Sequence, residues 1–551
     1  MTGLDQTSSN PTAHPASLRW ALLLLFCLPF FAALDVSSIW DSNEAFYVQT
    51  PREMIERGDW LVPYFNGEPR LNKPPLSYWL VAFLYQVFGV SVYLERLLMA
   101  LLACASIWAV YRSGEMLFDS GTALWGAGIF AASFRFLILS RRLLIDVLML
   151  FCVLAAFYFF LRWIGQKSQA SFLLFCCFLG LGFLAKGPVA LLPLGIAAIY
   201  LLWTRQWGRL ASAPWLMGGL LASAIGSSWF LMLGATQGWQ PVADFLLDEN
   251  LGRFSHLDFG PQRGPFYYLG VFFTEFAPWS FLFPPAIYWC VRHRRRDGDA
   301  FRFLGLWIAF YFIVFSLSHN KQEYYILPLY PAAALLVAAY LRRANPSWLV
   351  RLPAAATALA GALLIGALAR IIHSESLILW AVPPLFLAAL AVGLLWRRVT
   401  IALAAASLFY ATAFWIYLPV LEDYKPVRPL AQTILQQAGR QPGQTYRAGY
   451  YRLTAPSLAY YLGHPILELY EPEEALQHLS SGQTVYLILK SNDYQTLADS
   501  YPGLEMEIVD VRPKLYTTAR NLSSIIGSGR NDDSHWTRPV YLVRSAQQKS
   551  E

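Results

Sequence analysis

The chain has 551 residues, 56% of them hydrophobic and 14% charged, with a net charge of +7. Soluble domains carry about 25% charged residues, so this composition excludes an ordinary soluble enzyme and points to a polytopic membrane protein. The sign of the net charge says less than where the arginines sit, and no nucleic-acid partner is implied.

Residues 1–17, rich in Ser, Thr and Pro, read as a flexible cytoplasmic tail. Apolar runs that read as spans follow near 18–35, 93–112, 121–139, 145–162, 171–185, 188–203, 213–233, 266–290, 303–318, 326–341, 352–370, 377–395 and 399–419, about thirteen in all. The run 76–90, "LSYWLVAFLYQVFGV", is apolar but short, and it reads as an interfacial helix. Connections rich in Lys and Arg, such as "LRWIGQKSQ", "TRQWGRL", "VRHRRRDGDAFR" and "LWRRVT", alternate with loops that are less basic or longer. By the positive-inside rule the N-terminus is cytoplasmic, and residues 36–92 and 421–551 face the periplasm of a bacterial inner membrane. No small-residue cleavage site follows the first run, so it reads as a retained span. Cys27, Cys104, Cys152, Cys176, Cys177 and Cys290 lie within or at the edges of apolar spans and suggest no disulfide framework.

The membrane domain covers 18–420, and from 421 the pattern changes. Strand-like "QTYRAGYY", "PILELY", "TVYLILK", "EMEIVDV" and "PVYLVRS" alternate with helix-like segments such as "VRPLAQTILQQAG" and "EPEEALQHLSSG", which predicts a small soluble α/β domain over 421–551. It has no glycine-rich phosphate loop. The stretch "NLSSIIGSGRNDDSHWTR" reads as its disordered piece.

Charges near a bilayer are expensive, so those on the outer side each need a reason. The first outer loop, 36–92, carries "IWDSNEAFY" and "RLNKPPLSYWL". It sets Asp41 and Glu44 at the lip of the first span, in an aromatic setting. They mark either the exit of a helix from lipid or a reaction at the membrane surface. Lys73, just before Pro74 and Pro75, is placed to hold a lipid phosphate, or else snorkels to headgroups. In "LSRRLLIDVLML", Arg142 and Asp146 are spaced to share one helix face, either as a structural ion pair or as an acid held near the site. "FLLDENLGRFSHLDFGPQRG" offers Arg253, whose planar fork suits a phosphate. "SLSHNKQEYYILPLYP" gathers His319, Lys321, Glu323, Tyr324 and Tyr325 at the outer face. No spacing of His256, His319 and the carboxylates carries a strong metal signature, so no metal ligand is assigned; a divalent cation stays open as an alternative.

Several stretches in one order carry a resemblance: "NEAFYVQTPREMIERGDWLVPYFNG", "NKPPLSYWL", "IDVLMLF", "GFLAKGPVALLPL", "ENLGRF" and "KQEYYILPLYP". Over roughly 18–345 they resemble the protein O-mannosyltransferase-like polyprenyl-phosphate-sugar glycosyltransferases of GT-C architecture, nearest to the branch that adds aminoarabinose to lipid A. The resemblance implies transfer of a sugar from an undecaprenyl phosphate carrier to a periplasmic acceptor, a glycolipid such as lipid A or, as the alternative, a secreted protein. Carried across, Glu44 and Tyr47 fall in the acidic motif of the first loop, and Asp146 matches the acid that opens the fourth span. Lys73, Arg253 and Tyr325 match positions contacting the carrier phosphate, with Arg142 and Lys321 nearby. The family pattern has an Asp base immediately before the Glu, where this chain has Asn43. The base is then expected to be Asp41 or Glu44, with Asp146 as the further catalytic acid. A flippase for polyprenyl-linked sugars and a silent lipid-binding relative are the other readings.

Overall fold

A computed structural model describes residues 15–41, 43–255, 263–344, 355, 377–396, 398–440, 445–515 and 537–545. The expected span at 352–370, most of the tail at 1–17 and most of the loop at 521–538 lie outside the described residues.

Apolar composition and helix-favouring residues give a bundle built from α1 (Ala16–Phe31), α4 (Val92–Leu117), α5 (Ser120–Ala131), α6 (Phe134–Leu139), α7 (Ile145–Gln166), α8 (Gln169–Lys186), α9 (Leu192–Trp203) and α11 (Trp215–Gln237), then α14 (Tyr267–Glu275), α15 (Phe283–Arg292), α16 (Arg294–Leu317), α17 (Tyr330–Ala344), α18 (Leu377–Leu395) and α19 (Val399–Glu422). Among the described residues, seven helices are long and apolar enough to cross a membrane, and four shorter apolar helices accompany them. Two expected spans are broken. The segment 121–139 divides where Ser133 turns extended (ψ 127°) and its hydroxyl bonds the Phe130 carbonyl. The segment 266–290 divides between α14 and α15, around Pro278 and the prolines that open α15, because proline cannot donate to the preceding turn.

The bundle is centred on α7 and α17, which are buried along most of their length. Helices approach closely where side chains are small. A Cβ added at Gly114 of α4 would lie 2.7 Å from Leu335 Cδ2, and one at Gly126 of α5 would lie 2.5 Å from the same atom. Loops are punctuated by caps. Asp119 accepts from the Gly121 and Thr122 amides, both at 2.9 Å, to start α5.

The first outer loop is ordered. It holds α2 (Glu44–Arg57), a hairpin of β1 (Tyr64–Phe65) and β2 (Glu68–Pro69), and α3 (Leu76–Phe88), the expected interfacial helix. The hairpin turns through Asn66 (φ 56°) and Gly67 (φ 86°), the left-handed pair that a tight two-residue loop requires. Glu53 of α2 accepts from both turn amides, at 2.8 and 3.0 Å.

The C-terminal segment forms a five-stranded sheet in the order β4-β3-β5-β7-β6, from β3 (Tyr446–Tyr451), β4 (Leu467–Leu469), β5 (Thr484–Lys490), β6 (Met506–Leu515) and β7 (Thr537–Ser545). All five expected strands are present. β4, β3 and β5 run parallel, and β7 and β6 antiparallel. β5 reads "TVYLILK" and is buried through its first six residues, as a strand with a core on each side should be. The sheet domain clamps the first outer loop. The Asn66 side chain exchanges two bonds with the Ile466 backbone, at 3.0 and 2.7 Å. The Ile39 amide donates to the Tyr461 hydroxyl at 2.8 Å, and Arg52 donates to the Tyr460 carbonyl at 3.1 Å.

Candidate active site

α2 begins at Glu44 with Asn43 as its cap residue, so consecutive side chains leave the helix in different directions. Glu44 turns into the bundle. It meets Arg96 of α4 through two bonds, at 2.9 and 3.0 Å, and accepts from the Trp40 amide at 2.9 Å and the Leu143 amide at 3.4 Å. Arg96 also donates to the carbonyls of Leu34, Ser37 and Ser38. Burial opposes ionisation of Glu44, but the Arg96 guanidinium and the Trp40 amide outweigh it and hold the carboxyl below its ordinary range. Both carboxylate oxygens are occupied, so Glu44 is positioned as a brace joining the end of α1, α2, α4 and the segment before α7.

Asp41 turns to the sheet domain. It accepts from the backbone amide and hydroxyl of Ser457, the first residue of a short helix, Ser457–Leu462. Burial pushes its carboxyl up, and the Ser457 bonds with Lys514 and Lys425 partly offset that. Its bonding partner belongs to the sheet domain.

Asn43 precedes the first helical residue with φ −146° and ψ −52°, and Tyr47 lies in the first turn of α2. Tyr47 stacks on Tyr78 of α3, ring centroids 5.7 Å apart, and lies within electrostatic reach of Asp146 and Tyr324. Asp146 sits in the first turn of α7 and is ion-paired with Lys186, the last residue of α8. The pairing of Arg142 with Asp146 expected from their spacing does not form, because α7 starts only at Ile145. Arg142 instead stacks over the Trp40 ring at 3.7 Å. Gly187 ends α8 at φ +91°, and a Cβ there would come within 2.8 Å of Phe245, so glycine is needed to stop the helix with Lys186 at its tip. The Lys186 ammonium lies 5.0 Å from the Tyr325 ring centroid and 5.5 Å from that of Tyr324.

Beside this pair stands a second charged group. Lys73 and Arg253 both reach Glu249, at 3.1 and 2.9 Å on its two oxygens. Glu249 lies in a π-helical turn, Leu247–Gly252, and Arg253 follows that turn directly. Burial depresses the Lys73 ammonium and Glu249 opposes it. Tyr325 is within electrostatic reach of Asp146, Arg253 and Glu249, and Lys73 is within reach of Lys186. Two groups far apart in sequence thus form one cluster: Lys73, Glu249 and Arg253, then Asp146, Lys186 and Tyr325, with Tyr47 facing them.

Lys321 is buried and donates to the Ser318 carbonyl. Arg263 donates to the Lys321 carbonyl at 2.6 Å and pairs with Glu323 at 2.9 Å, and Tyr267 donates to Glu323 at 2.8 Å. Among the described residues no group of three His, Cys, Asp or Glu gathers to hold a metal ion. His256 and Asp258 lie outside those residues.

Lys186 was the residue whose part the sequence reading missed. The signal was present: "GFLAKGP" puts a lysine at the outer end of a span, the same breach of the charge bias that singled out Arg142.

The bundle of α-helices, the ordered outer loop and the appended sheet define a polytopic membrane protein of GT-C architecture. Residues 72–231 match the family described as dolichyl-phosphate-mannose-protein mannosyltransferase, a stretch that takes in "NKPPLSYWL", "IDVLMLF" and "GFLAKGPVALLPL". The fold is similar to that of ArnT from Cupriavidus metallidurans, solved bound to undecaprenyl phosphate, with a TM-score of 0.73 over 97% of this chain and 98% of that one at 20% identity. Among relatives, an uncharacterized protein of Aquifex aeolicus is 29% identical over 80% of this chain and 86% of its own length. An undecaprenyl phosphate-alpha-4-amino-4-deoxy-L-arabinose arabinosyl transferase of Pseudomonas aeruginosa is 30% identical over 59% of this chain. That match spans 60% of the transferase's length.

Proposed function

We propose that the protein is a membrane glycosyltransferase that moves a sugar from an undecaprenyl phosphate carrier to a glycolipid acceptor of the lipid A kind, at the periplasmic face of a bacterial inner membrane. The observation that carries this reading is the convergence of Lys73 and Arg253 on one point beside the Asp146–Lys186 pair. A carrier phosphate gains negative charge as the sugar leaves, and two cations fixed in place are the group that stabilises it. In the resting protein the Glu249 carboxylate holds that point between them, as the phosphate does when the donor is bound. The similarity to the arabinosyl transferases and to the undecaprenyl phosphate-bound ArnT supports the same donor.

In this reading the acceptor oxygen attacks the sugar carbon, the bond from that carbon to the phosphate oxygen breaks, and the carrier departs as a phosphate on Lys73 and Arg253. The acceptor proton goes to Asp146, the carboxylate of the cluster within electrostatic reach of Tyr47. Glu44 fixes the angle of α2, and Asp41 secures the sheet domain against it. A flippase is disfavoured because the charged groups gather at helix ends and outer loops rather than at mid-membrane, where carriers place their sites.

The test is lipid analysis of a deletion strain joined to an assay of the purified protein with undecaprenyl-phosphate-linked sugars. A sugar lost from lipid A in the deletion strain and restored by the wild-type gene supports the reading. Loss of sugar from secreted proteins alone moves the acceptor to the protein class. Unaltered glycolipids and proteins, with carrier-linked sugar accumulating on the inner leaflet, replace the transferase by a flippase.

A further inference from the structure

The end of the bundle away from Asp146 holds two adjoining cavities that the reaction does not use. α7 runs from Asp146 in its first turn to Arg162 near its last, roughly 24 Å at the helical rise of about 1.5 Å per residue. At the Arg162 end a cavity of about 1370 Å³ is lined by Arg162, Arg209, Arg302 and Asp299, three cations against one anion. Asp299 is already paired with Arg302, at 3.0 Å. Arg209 Nη1 and Gln206 Oε1, both on the wall of this cavity, are shielded from solvent and meet no partner among the described residues. Buried polar atoms are normally hydrogen-bonded, so an unmet donor and an unmet acceptor on one wall suit a polar headgroup that carries both acceptor and donor groups.

The second cavity, about 660 Å³, lies between α14, α15 and α16 and is lined almost wholly by apolar side chains, Phe272, Ile287, Phe301 and Phe312 among them. Gly298 and Arg302 line both cavities, so the apolar groove adjoins the arginine chamber. Gly305, one helical turn past Phe301, lines the groove, and a Cβ built there meets nothing within 4 Å. A polar chamber of net positive charge beside an apolar groove matches the chemistry of a lipid with an anionic head.

We propose that these cavities form a binding site for an anionic phospholipid, its phosphate among Arg162, Arg209 and Arg302 and an acyl chain along α16 past Gly305. The site is separate from the carrier site, since its charged end lies at the other end of α7. A free phosphate shares the head chemistry but has no use for the groove, and the groove is what commits the site to a lipid.

The full-length protein, purified in mild detergent and supplied with equal amounts of phosphatidylglycerol and phosphatidylcholine of the same chains, tests this by native mass spectrometry. The wild type is expected to retain phosphatidylglycerol at least tenfold over phosphatidylcholine. Arg209→Gln combined with Arg302→Gln is expected to lower that retention at least tenfold. Gly305→Phe sets a ring into the groove from a position where a Cβ meets nothing within 4 Å, and it is expected to do the same with every arginine in place. Equal retention of the two lipids by the wild type overturns the proposal, as does undiminished phosphatidylglycerol in Gly305→Phe. Displacement of the lipid by millimolar inorganic phosphate overturns it in favour of a phosphate pocket. If the double arginine variant does not elute as a single folded species, Gly305→Phe decides alone.

Discussion

Glu44 and Arg96 face each other through two parallel hydrogen bonds, 2.9 and 3.0 Å long, with neither side chain open to solvent. Removing one partner of such a pair leaves the other charge stranded, at a cost of roughly 3–5 kcal/mol. Glu44→Gln is therefore expected to lower the thermal midpoint sharply. Glu44→Gln with Arg96→Met should recover part of the loss, because no charge is left buried. A Glu44→Gln protein that melts like wild type while losing all transfer would return Glu44 to a direct part in the chemistry.

The same residue sets a pH dependence. The folded Glu44 carboxyl lies below its ordinary 4.5, so the stability it contributes is present above that value and lost as pH falls through the lower folded one. Asp41 has the opposite sign. Its folded value lies above 3.8, so its contribution is present at acid pH and lost as pH rises through that folded value. Melting curves across pH should show Glu44→Gln converging on wild type toward acid. Asp41→Asn should compare most favourably with wild type at neutral pH. Parallel curves for either variant contradict the assignment.

Donor affinity should rest on the two cations that share Glu249. Lys73→Ala and Arg253→Ala each remove a charge-assisted contact of roughly 1.5–3 kcal/mol, which reads as about a tenfold to hundredfold loss of carrier binding. Glu249→Gln should behave differently. It weakens the resting protein, yet bound carrier should stabilise that variant more than it stabilises wild type, because the phosphate no longer competes with a carboxylate. Calorimetry of undecaprenyl phosphate binding measures all three, and unchanged affinity in both alanine variants would reduce Lys73 and Arg253 to structural charges.

The proton acceptor can be separated from its neighbours. Asp146→Asn is expected to lower turnover by about 10²–10⁴, the range for a lost general base, with carrier affinity largely kept. Asp41→Asn should act mainly on the seating of the sheet domain and cost far less turnover. Asn43→Asp keeps a residue type favoured at the N-cap position and adds a carboxylate at the start of α2, so turnover should equal or exceed wild type. Near-normal turnover in Asp146→Asn, with Asp41→Asn inactive, would move the base to Asp41.

Asn66 gives the clamp between loop and sheet domain a direct test. Asn66→Ala removes both bonds to Ile466 and the side chain best suited to the left-handed turn. Limited proteolysis of the first outer loop should speed up several-fold. Equal cleavage of Asn66→Ala and wild type would mean that the hairpin is held without Ile466.

Much of this fold was legible because its signals are local. Apolar length marked the described spans, alternation marked five strands, and "NEAFYVQTPREMIERG" carried a helix start that α2 realises at Glu44. The breaks at Ser133 and around Pro278 were not legible as such, since an apolar run reads the same whether or not the chain bends inside it. In the site, Lys73, Arg253 and Asp146 stood out as charges beside apolar runs. Their partners did not. Asp146 answers Lys186 on the next helix, 40 positions away, and not Arg142, four positions before it. Lys73 meets Glu249 across 176 positions. Spacing predicts partners only within one regular element, and these pairs belong to different ones. Glu44 shows the reverse limit. Its type and place suited a base, and nothing in its position announced the two bonds to Arg96 of α4.

α7 also works as a gauge of depth. One unbroken rod carries Asp146 at one tip and Arg162 close to the other, so the two polar layers of the protein keep a fixed spacing whatever bilayer surrounds them. A thicker hydrocarbon slab must thin locally or draw one tip inward, each at a fraction of a kcal/mol per Å. If the proposed function holds, acyl chain length in the host membrane thereby becomes a control on how far the sugar-bearing head of a carrier must rise to meet Asp146.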